Sequence, residues 1–213
     1  MPAHRSEAEA LIRNDVVAKL RRIRPGARIM HEVNIASGQN RVDVMAVDRA
    51  EIIMVEIKSE RDKLDRLPEQ VASMECSAHH VIAALDRKFM PDIDSLSRPR
   101  LEGLPYDLIY WWHPGARDMA EAHHPAFTWR EPDVADSLQV ALPIGALSLL
   151  WRDELAALCA ELRVPAGARA NMSQMCAALR WMASGREITL GICRELRRRD
   201  KCAEADPPIE EAA

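Results

Sequence analysis

The chain has no long hydrophobic run. None of its apolar stretches approaches the roughly 20 residues that a membrane-spanning helix needs, and its first five residues, Met1-Pro2-Ala3-His4-Arg5, lack the apolar core of a signal peptide. Of its 213 residues, 48% are hydrophobic and 29% are charged. This composition predicts a globular, cytoplasmic protein with one medium-sized domain and an appendage.

Cysteine is scarce and shows no pairing pattern. The number of cysteines is odd and no C-x-x-C pair occurs, which predicts free thiols in a reducing compartment. The two adjacent histidine pairs, at 79–80 and 123–124, do not combine with the cysteines at the spacing of zinc ligands. We therefore expect no zinc site. The cysteines are Cys76, Cys159, Cys176, Cys193 and Cys202.

The chain also lacks an excess of positive charge. Its formal net charge is −4, so it has no overall attraction for nucleic acid, whose binding is dominated by phosphate contacts. Basic residues instead form two local clusters, each of which either follows a phosphate backbone or serves as a solvated face or helix-end cap. The clusters are Lys19, Arg21, Arg22, Arg24 and Arg28, and Arg194, Arg197, Arg198, Arg199 and Lys201.

Periodicity of apolar residues predicts an α/β fold without internal repeats. Strands are predicted over 28–35, 41–47, 52–58, 81–85 and 106–112. Helices are predicted over 6–23, 63–77 (with its regular part from Leu67), 146–162, 172–182 and 189–199. In the first strand, Ile29, Val33 and Ile35 are predicted on one side and Glu32 and Asn34 on the other. The order helix, three strands, helix, strand indicates a layered α/β arrangement.

Two neighbouring strands carry the residues best suited to chemistry. Side chains alternate between the faces of a strand, so Glu56 and Lys58 point the same way while Ile57 faces the core. Asp43, on the hairpin partner, supplies a second carboxylate, and the grouping suits metal-assisted attack of water on a phosphodiester. A sheet with one solvated face gives the same alternation. The apolar residues around Glu56 nevertheless predict a central strand, where an acid beside a lysine is unexpected.

Glu9 has two interpretations. Ser6 and Glu9 form an S-x-x-E capping box at the start of the first helix, and Glu9 also lies near the centre of the apolar face that includes Ile12 and Val16. Its carboxylate either caps the helix or points from it into the metal pocket.

The motifs and the order of elements resemble the PD-(D/E)XK nuclease superfamily. The run from Arg41-Val42-Asp43 through Val55-Glu56-Ile57-Lys58-Ser59 to Gln70 looks closest to a little-characterised bacterial branch with R-x-D followed by E-I-K-S-x-x-D-x-L-x-R-L-x-x-Q. It is similar to MmcB-like DNA repair proteins, and the match covers about residues 6–87. The resemblance implies a restriction-endonuclease-like αβββαβ core with a mixed sheet.

The resemblance also implies the metal site. Asp43 and Glu56 would bind Mg²⁺ or Mn²⁺, with the carbonyl of Ile57 as a further ligand. Lys58 would orient or activate the attacking water.

Further residues complete the predicted site. Gln70, on the helix after the Glu-x-Lys strand, matches a glutamine that many members of the superfamily use near the site, and Glu9 is added to the catalytic candidates. Arg41, Ser59 and Arg66 are predicted to contact the substrate.

The predicted organisation has three parts. A nuclease-like core covers 1–115, an irregular segment and helical appendage cover 116–202, and a disordered tail covers 203–213. The appendage loosely resembles a SAP-type DNA-binding hairpin. The alternative is a helical cap that packs leucines against the core: Leu149, Leu150, Leu155 and Leu158.

Two functions remain open at this point. The first is a metal-dependent deoxyribonuclease, with an endonuclease favoured, in DNA repair, mobile-element or defence biology. The second is a catalytically inactive module on the same fold that binds nucleic acid or protein. The intact set of Asp43, Glu56 and Lys58 favours the first, and a homodimer is plausible because one site cuts one strand.

Overall fold

The elements follow one another in the order helix, three strands, helix, two strands and three helices. The structure, a computed structural model, describes residues 6–35, 40–89, 109–112, 139–167, 169–202 and 204–210. The strands are β1 (Arg28–Ile35), β2 (Asn40–Val47), β3 (Ile52–Lys58), β4 (His80–Asp86) and β5 (Ile109–Trp112). The helices are α1 (Glu7–Ile23), α2 (Leu67–Glu75), α3 (Arg152–Glu161), α4 (Met172–Met182) and α5 (Gly185–Arg198), with 3-10 segments at Arg87–Phe89 and Ile144–Leu149.

The strands form one mixed sheet in the order β1-β2-β3-β4-β5. The pairs β1–β2 and β2–β3 are antiparallel, whereas β3–β4 and β4–β5 are parallel. Helix α2 lies between the parallel strands β3 and β4 in the chain and contacts both. The predicted mixed α/β arrangement is therefore confirmed. Of the strand predicted over 106–112, residues 106–108 lie outside the described part.

The sheet is covered on both faces. On one face, α1 packs Ile12, Val16 and Leu20 against the strands to form the α1-side core. On the other face, α2 and the C-terminal helices form the α2-side core, and burial of apolar surface on both faces is the main stabilising contribution. The four leucines of the cap hypothesis are buried in this core, so the appendage covers the sheet: Leu149, Leu150, Leu155 and Leu158.

The alternation of β1 changes face at Glu32. Met30 and Val33 both lie in the α2-side core although three positions separate them. Between them, Glu32 has a φ of 55°, a left-handed conformation that few residues other than glycine adopt. The predicted grouping of Ile29 with Val33 and Ile35 is therefore wrong, because Ile29 lies in the α1-side core.

The same change of face occurs in β2 at Asp43. Val42 is buried in the α2-side core and Val44 in the α1-side core, although two positions apart they would ordinarily share a face. The pairs His31–Val44 and Val33–Val42 flank the place where Glu32 faces Asp43. The two acidic residues thus mark one irregular point in the β1–β2 ladder.

The C-terminal part departs from the prediction at three places. The helix predicted over 146–162 is divided at Trp151, whose N–H donates to the Glu154 carboxylate at 2.7 Å and begins α3. Helix α5 begins at Gly185 rather than at residue 189, because Ser184 and Glu187 form a capping box.

The third departure concerns the tail. The tail from residue 203 to 213 is predicted to be disordered, yet residues 204–206 pair with the outer edge of β1. The His31 N–H donates to the Glu204 carbonyl at 2.8 Å, and the Asp206 N–H donates to the Ile29 carbonyl at 2.8 Å. Composition alone missed this segment because its stability comes from pairing with a strand edge rather than from its own apolar content.

None of the helices in the part of the chain that the structure describes is both long enough and apolar enough to cross a membrane.

Candidate metal centre

Asp43 lies where β2 separates from β3. The two strands pair from Val47–Ile52 to Val44–Val55, one residue short of Asp43. Beyond this point the Asp43 carboxylate replaces a backbone carbonyl as hydrogen-bond acceptor, because its Oδ2 accepts from the Ile57 N–H at 2.7 Å. The divergence of the strands thus opens a space for a side chain beside the Glu-x-Lys segment.

Glu56, Lys58 and Gln70 form a closed triangle of hydrogen bonds on the α2 side of the sheet. The Lys58 Nζ donates to Glu56 Oε1 at 2.7 Å and to Gln70 Oε1 at 2.9 Å, and Gln70 Nε2 donates to the same Glu56 oxygen at 2.5 Å. Ile57, between the two strand residues, is buried in the α1-side core. The predicted orientation of all three strand residues is correct.

The second oxygen of Glu56 is unusual. Glu56 is only 3% exposed, and its Oε2 is buried with no hydrogen-bond partner among the described residues. Burial, followed by the negative charge of Asp43, raises the pKa of Glu56 to about 7 against the opposing effects of Lys58 and Gln70. A buried carboxylate oxygen without a partner is costly, so Oε2 could accept a cation while Lys58 binds the other oxygen.

Asp43 experiences a similar environment. Burial raises the pKa of its carboxyl group, and the charges of Glu32 and Glu9 add to the rise. The hydrogen bond from Ile57 and the charge of Arg13 act in the opposite direction. Two neighbouring carboxyl groups with raised pKa values are the electrostatic pattern of a site that is completed by a cation.

On the α1 side of the sheet, Arg13 joins three carboxylates. Its Nη2 lies 2.7 Å from Glu9 Oε1, 2.9 Å from Glu32 Oε1 and 3.3 Å from Asp43 Oδ1. Its Nη1 also donates to the Asp43 carbonyl. Asp43 therefore contacts α1 through Arg13 and β3 through the Ile57 N–H, and its charge also acts on Glu56.

This arrangement decides between the two interpretations of Glu9. The Glu9 N–H donates to the Ser6 hydroxyl at 3.2 Å, so Ser6 caps α1 as predicted. The Glu9 carboxylate, however, forms an ion pair with Arg13 and lies with Glu32 and Asp43, their oxygens within 4.8 Å of one another. It points inward, to β1 and β2, which carry Glu32 and Asp43.

Sequence reasoning missed Arg13 and Glu32. The signal for Arg13 was available, because residues at i and i+4 lie on the same helix face and Arg13 follows Glu9 at that spacing. Glu32 was placed on a face by regular alternation, which the left-handed φ at this residue invalidates.

The three residues predicted to contact the substrate differ in exposure, since Arg41 and Arg66 are exposed and Ser59 is buried. Arg41 is exposed at the rim, where its Nε lies 2.7 Å from Glu32 Oε2. Arg66 is exposed at the N-cap of α2. Ser59 is buried, and its hydroxyl donates to Asp62 Oδ2 at 2.6 Å, which holds the turn after β3.

Much of each basic cluster is turned inward. Arg24 forms a buried ion pair with Glu51, and buried Arg28 donates to the Leu196 carbonyl near the end of α5 at 2.8 Å. Arg199 is buried and pairs with Glu154 at 2.5 Å. Neither cluster is thus a continuous basic surface, and the capping interpretation applies to Arg28.

The residues fit a hard divalent cation. Mg²⁺ and Mn²⁺ prefer oxygen ligands, and the partnerless Glu56 Oε2 together with the Asp43 carboxylate provides such oxygens. Among the described residues, the oxygens of Glu9, Glu32 and Asp43 also lie close enough together to hold a metal ion, but Arg13 already pairs with all three. The Glu56 side of Asp43 is consequently the better candidate.

Comparisons with known proteins give one likeness. The profile of a family described as bacteriophage P4 protein cII matches residues 2–102, just under half of the chain. No curated protein and no solved structure matches the chain. The matched range extends from before α1 to beyond β4, so the chain is similar to that family across the whole candidate site.

Proposed function

We propose that the chain is a divalent-metal-dependent deoxyribonuclease of the PD-(D/E)XK type, built on a restriction-endonuclease-like core. The observation that carries the proposal is the convergence of Asp43, Glu56 and Lys58, with one oxygen of Glu56 buried and without a partner.

The two carboxylates would hold Mg²⁺ or Mn²⁺. When bound, the ion supplies positive charge to the phosphoryl oxygens and lowers the pKa of a bound water. Asp43 is oriented for this role by the Ile57 N–H, which fixes one of its oxygens. Glu56 is oriented by Lys58 and Gln70, which share its other oxygen. The Ile57 carbonyl remains the proposed further ligand.

Lys58 would act as a fixed donor to the phosphate. An ammonium group has three N–H bonds, and two of those on Lys58 are used by Glu56 and Gln70 within the described residues. The third is available for a phosphoryl oxygen, where negative charge accumulates during hydrolysis. Because the side chain is held before the substrate arrives, little reorganisation is needed in the transition state.

The likeness to a bacteriophage family favours the mobile-element setting among the three considered from the sequence. The proposed substrate is DNA, and endonucleolytic cleavage remains the favoured mode. Arg41 and Arg66, both exposed, are the residues proposed to contact its backbone.

A cleavage assay tests the proposal. The full chain is incubated with linear, circular and branched DNA in Mg²⁺, in Mn²⁺ and in EDTA, alongside Glu56→Ala and Lys58→Ala. Lys63→Ala is the matched control, because Lys63 is an exposed lysine five positions from Lys58. We expect cutting that needs metal, persists in the control and is lost in both site variants.

The outcomes separate the two candidate functions. Cutting of the circular substrate would identify an endonuclease. DNA binding without cutting at any metal concentration would refute the nuclease and support the inactive module. Cutting that survives in Glu56→Ala would show a contaminating enzyme or another site.

A further inference from the structure

The guanidinium of Arg13 lies where a cation is needed. Three carboxylates converge on it from α1, β1 and β2, and the distances from Nη2 to Glu9, Glu32 and Asp43 are 2.7, 2.9 and 3.3 Å. The Arg13 side chain is only 5% exposed. The three carboxylates would repel one another without a positive group between them.

We infer that Arg13 takes the place of a second metal ion, so that the native chain binds one divalent ion, between Asp43 and Glu56. The inference rests on the proposed function for that one ion. It adds that the carboxylate group of Glu9, Glu32 and Asp43, which has the geometry of a metal site, is closed to metal by the chain's own side chain.

The chemistry of arginine supports this role. A guanidinium keeps its charge under all ordinary conditions and presents donors in a rigid plane. It therefore supplies a permanent positive charge to the carboxylates, whereas a bound ion would leave when its concentration falls. A bound magnesium ion lies about 2.0–2.1 Å from its oxygen ligands. The Arg13 nitrogen excludes an ion from the space between the three carboxylates by its volume and its charge.

Arg13 is also a positioning residue for Asp43. Its Nη2 contacts Asp43 Oδ1 and its Nη1 donates to the Asp43 carbonyl, while Ile57 holds the other carboxylate oxygen. The Asp43 side chain is thus fixed from β3 and from α1. Loss of Arg13 would free one of its oxygens and open a place for an ion at the same time.

Counting bound ions tests the inference without relying on activity. The full chain is titrated with Mn²⁺, and bound ion is measured by electron paramagnetic resonance for wild type, Arg13→Gln and Arg24→Gln. Arg24 is the matched control because it is another buried arginine, 7% exposed. It pairs with the carboxylate of Glu51, whereas Arg13 pairs with three carboxylates. We expect one ion in wild type, two in Arg13→Gln and one in the control.

A second set of variants keeps Arg13 in place, in case Arg13→Gln does not fold. Glu32→Gln is expected to leave the number of bound ions and their Kd unchanged, because Arg13 occupies that side. Asp43→Asn and Glu56→Gln are expected to lose the ion. A metal that binds on the Arg13 side would instead be lost or weakened in Glu32→Gln, which would overturn the inference.

The results also distinguish this inference from the proposed function. Wild type with two ions, or Arg13→Gln with one, overturns the inference while leaving metal-dependent cleavage intact. Wild type with no ion, together with no cleavage, overturns the proposed function and the inference with it.

Discussion

The backbone N–H of Ile57 donates to the carboxylate of Asp43 at 2.7 Å, across the gap where β2 and β3 no longer pair. A side chain thus satisfies a backbone group that a regular strand would have satisfied. This contact couples the two predicted ligands, because Ile57 directly follows Glu56. The position of one carboxylate is therefore tied to the strand that carries the other.

Two substitutions of Asp43 are expected to distinguish its contribution to stability from its contribution to metal binding. Asp43→Asn keeps an oxygen that can accept from the Ile57 N–H, whereas Asp43→Ala leaves that buried donor unpaired. We expect Asp43→Ala to be less stable than Asp43→Asn by about 1–3 kcal/mol, the cost of an unsatisfied buried group. Urea denaturation measures this difference.

Both Asp43 variants should lose Mn²⁺ binding and cleavage equally, since neither has the carboxylate. Equal stability of the two would contradict the role assigned to the Ile57 hydrogen bond. Binding of Mn²⁺ by Asp43→Asn at wild-type affinity would exclude Asp43 as a ligand.

The metal-free protein is expected to lose stability as the pH rises. Burial raises the pKa of Glu56 to about 7, above the value of about 4.3 in an unfolded chain. Between these values the folded state binds more protons than the unfolded state, so the free energy of unfolding falls with increasing pH. The loss begins near pH 4 and is complete above pH 7, with a size of at most about 4 kcal/mol.

Thermal denaturation in EDTA between pH 4.5 and 8 measures this dependence. Glu56→Gln has no charge to develop, so its Tm should fall less than that of wild type over the same range. Saturating Mn²⁺ at pH 7.5 should raise the Tm of wild type but not of Glu56→Gln. A wild-type Tm that rises steadily through this range would refute the assignment.

Lys58 and Gln70 are expected to affect cleavage to different extents. Lys58→Ala removes the donor proposed for the phosphate, and loss of one such donor typically lowers the rate about 10²–10³-fold. Gln70→Ala removes only the group that positions Lys58 and Glu56, and we expect a loss of about 10–100-fold. Single-turnover cleavage at saturating Mn²⁺ measures both.

The control for this pair is Mn²⁺ binding, which Lys58→Ala should retain because the two carboxylates remain. Asp65→Ala, at an exposed position on the turn before α2, should cleave like wild type. A larger loss in Gln70→Ala than in Lys58→Ala would mean that the glutamine, and not the lysine, contacts the substrate.

Asp206 is expected to stabilise the outer edge of the sheet. Its Oδ2 accepts from the Ile29 N–H at 3.1 Å, its carbonyl accepts from Arg28 at 2.9 Å, and its Oδ1 pairs with exposed Arg21 at 2.7 Å. Asp206→Ala should lower the free energy of unfolding by about 1–2 kcal/mol, chiefly through the buried Ile29 donor.

Glu210→Ala is the matched control, because Glu210 is an exposed acid on the same segment. A change within about 0.5 kcal/mol is expected for it. Urea denaturation that gives the two variants the same stability would show that the segment contributes little to the fold.

The regular part of the fold was predictable because local pattern and tertiary structure agree there. β1 and β3 have the predicted bounds, and so does α4. The Glu56–Lys58 pair was predictable for the same reason, since period-two alternation holds throughout β3. Gln70 came from the resemblance, and its contact with Glu56 agrees with it.

The remaining features depend on contacts that a local pattern does not contain. The face change at Glu32 arises from a single backbone dihedral angle, and the edge pairing of residues 204–206 joins segments far apart in the chain. The inward orientation of Arg24 and Arg199 depends on acidic partners at positions 51 and 154. Charge clusters read along the sequence therefore overstated the basic surface.

The pairing of Ile29 with Asp206, which lie 177 positions apart, has a practical consequence for anyone who expresses part of this chain. A fragment of residues 1–115 would carry every proposed ligand, yet its first strand would present an open edge and one face of its sheet would be covered by α2 without the C-terminal helices. Exposed edges and apolar faces of this kind promote aggregation. The smallest useful piece for biochemistry is therefore one that extends through residue 210.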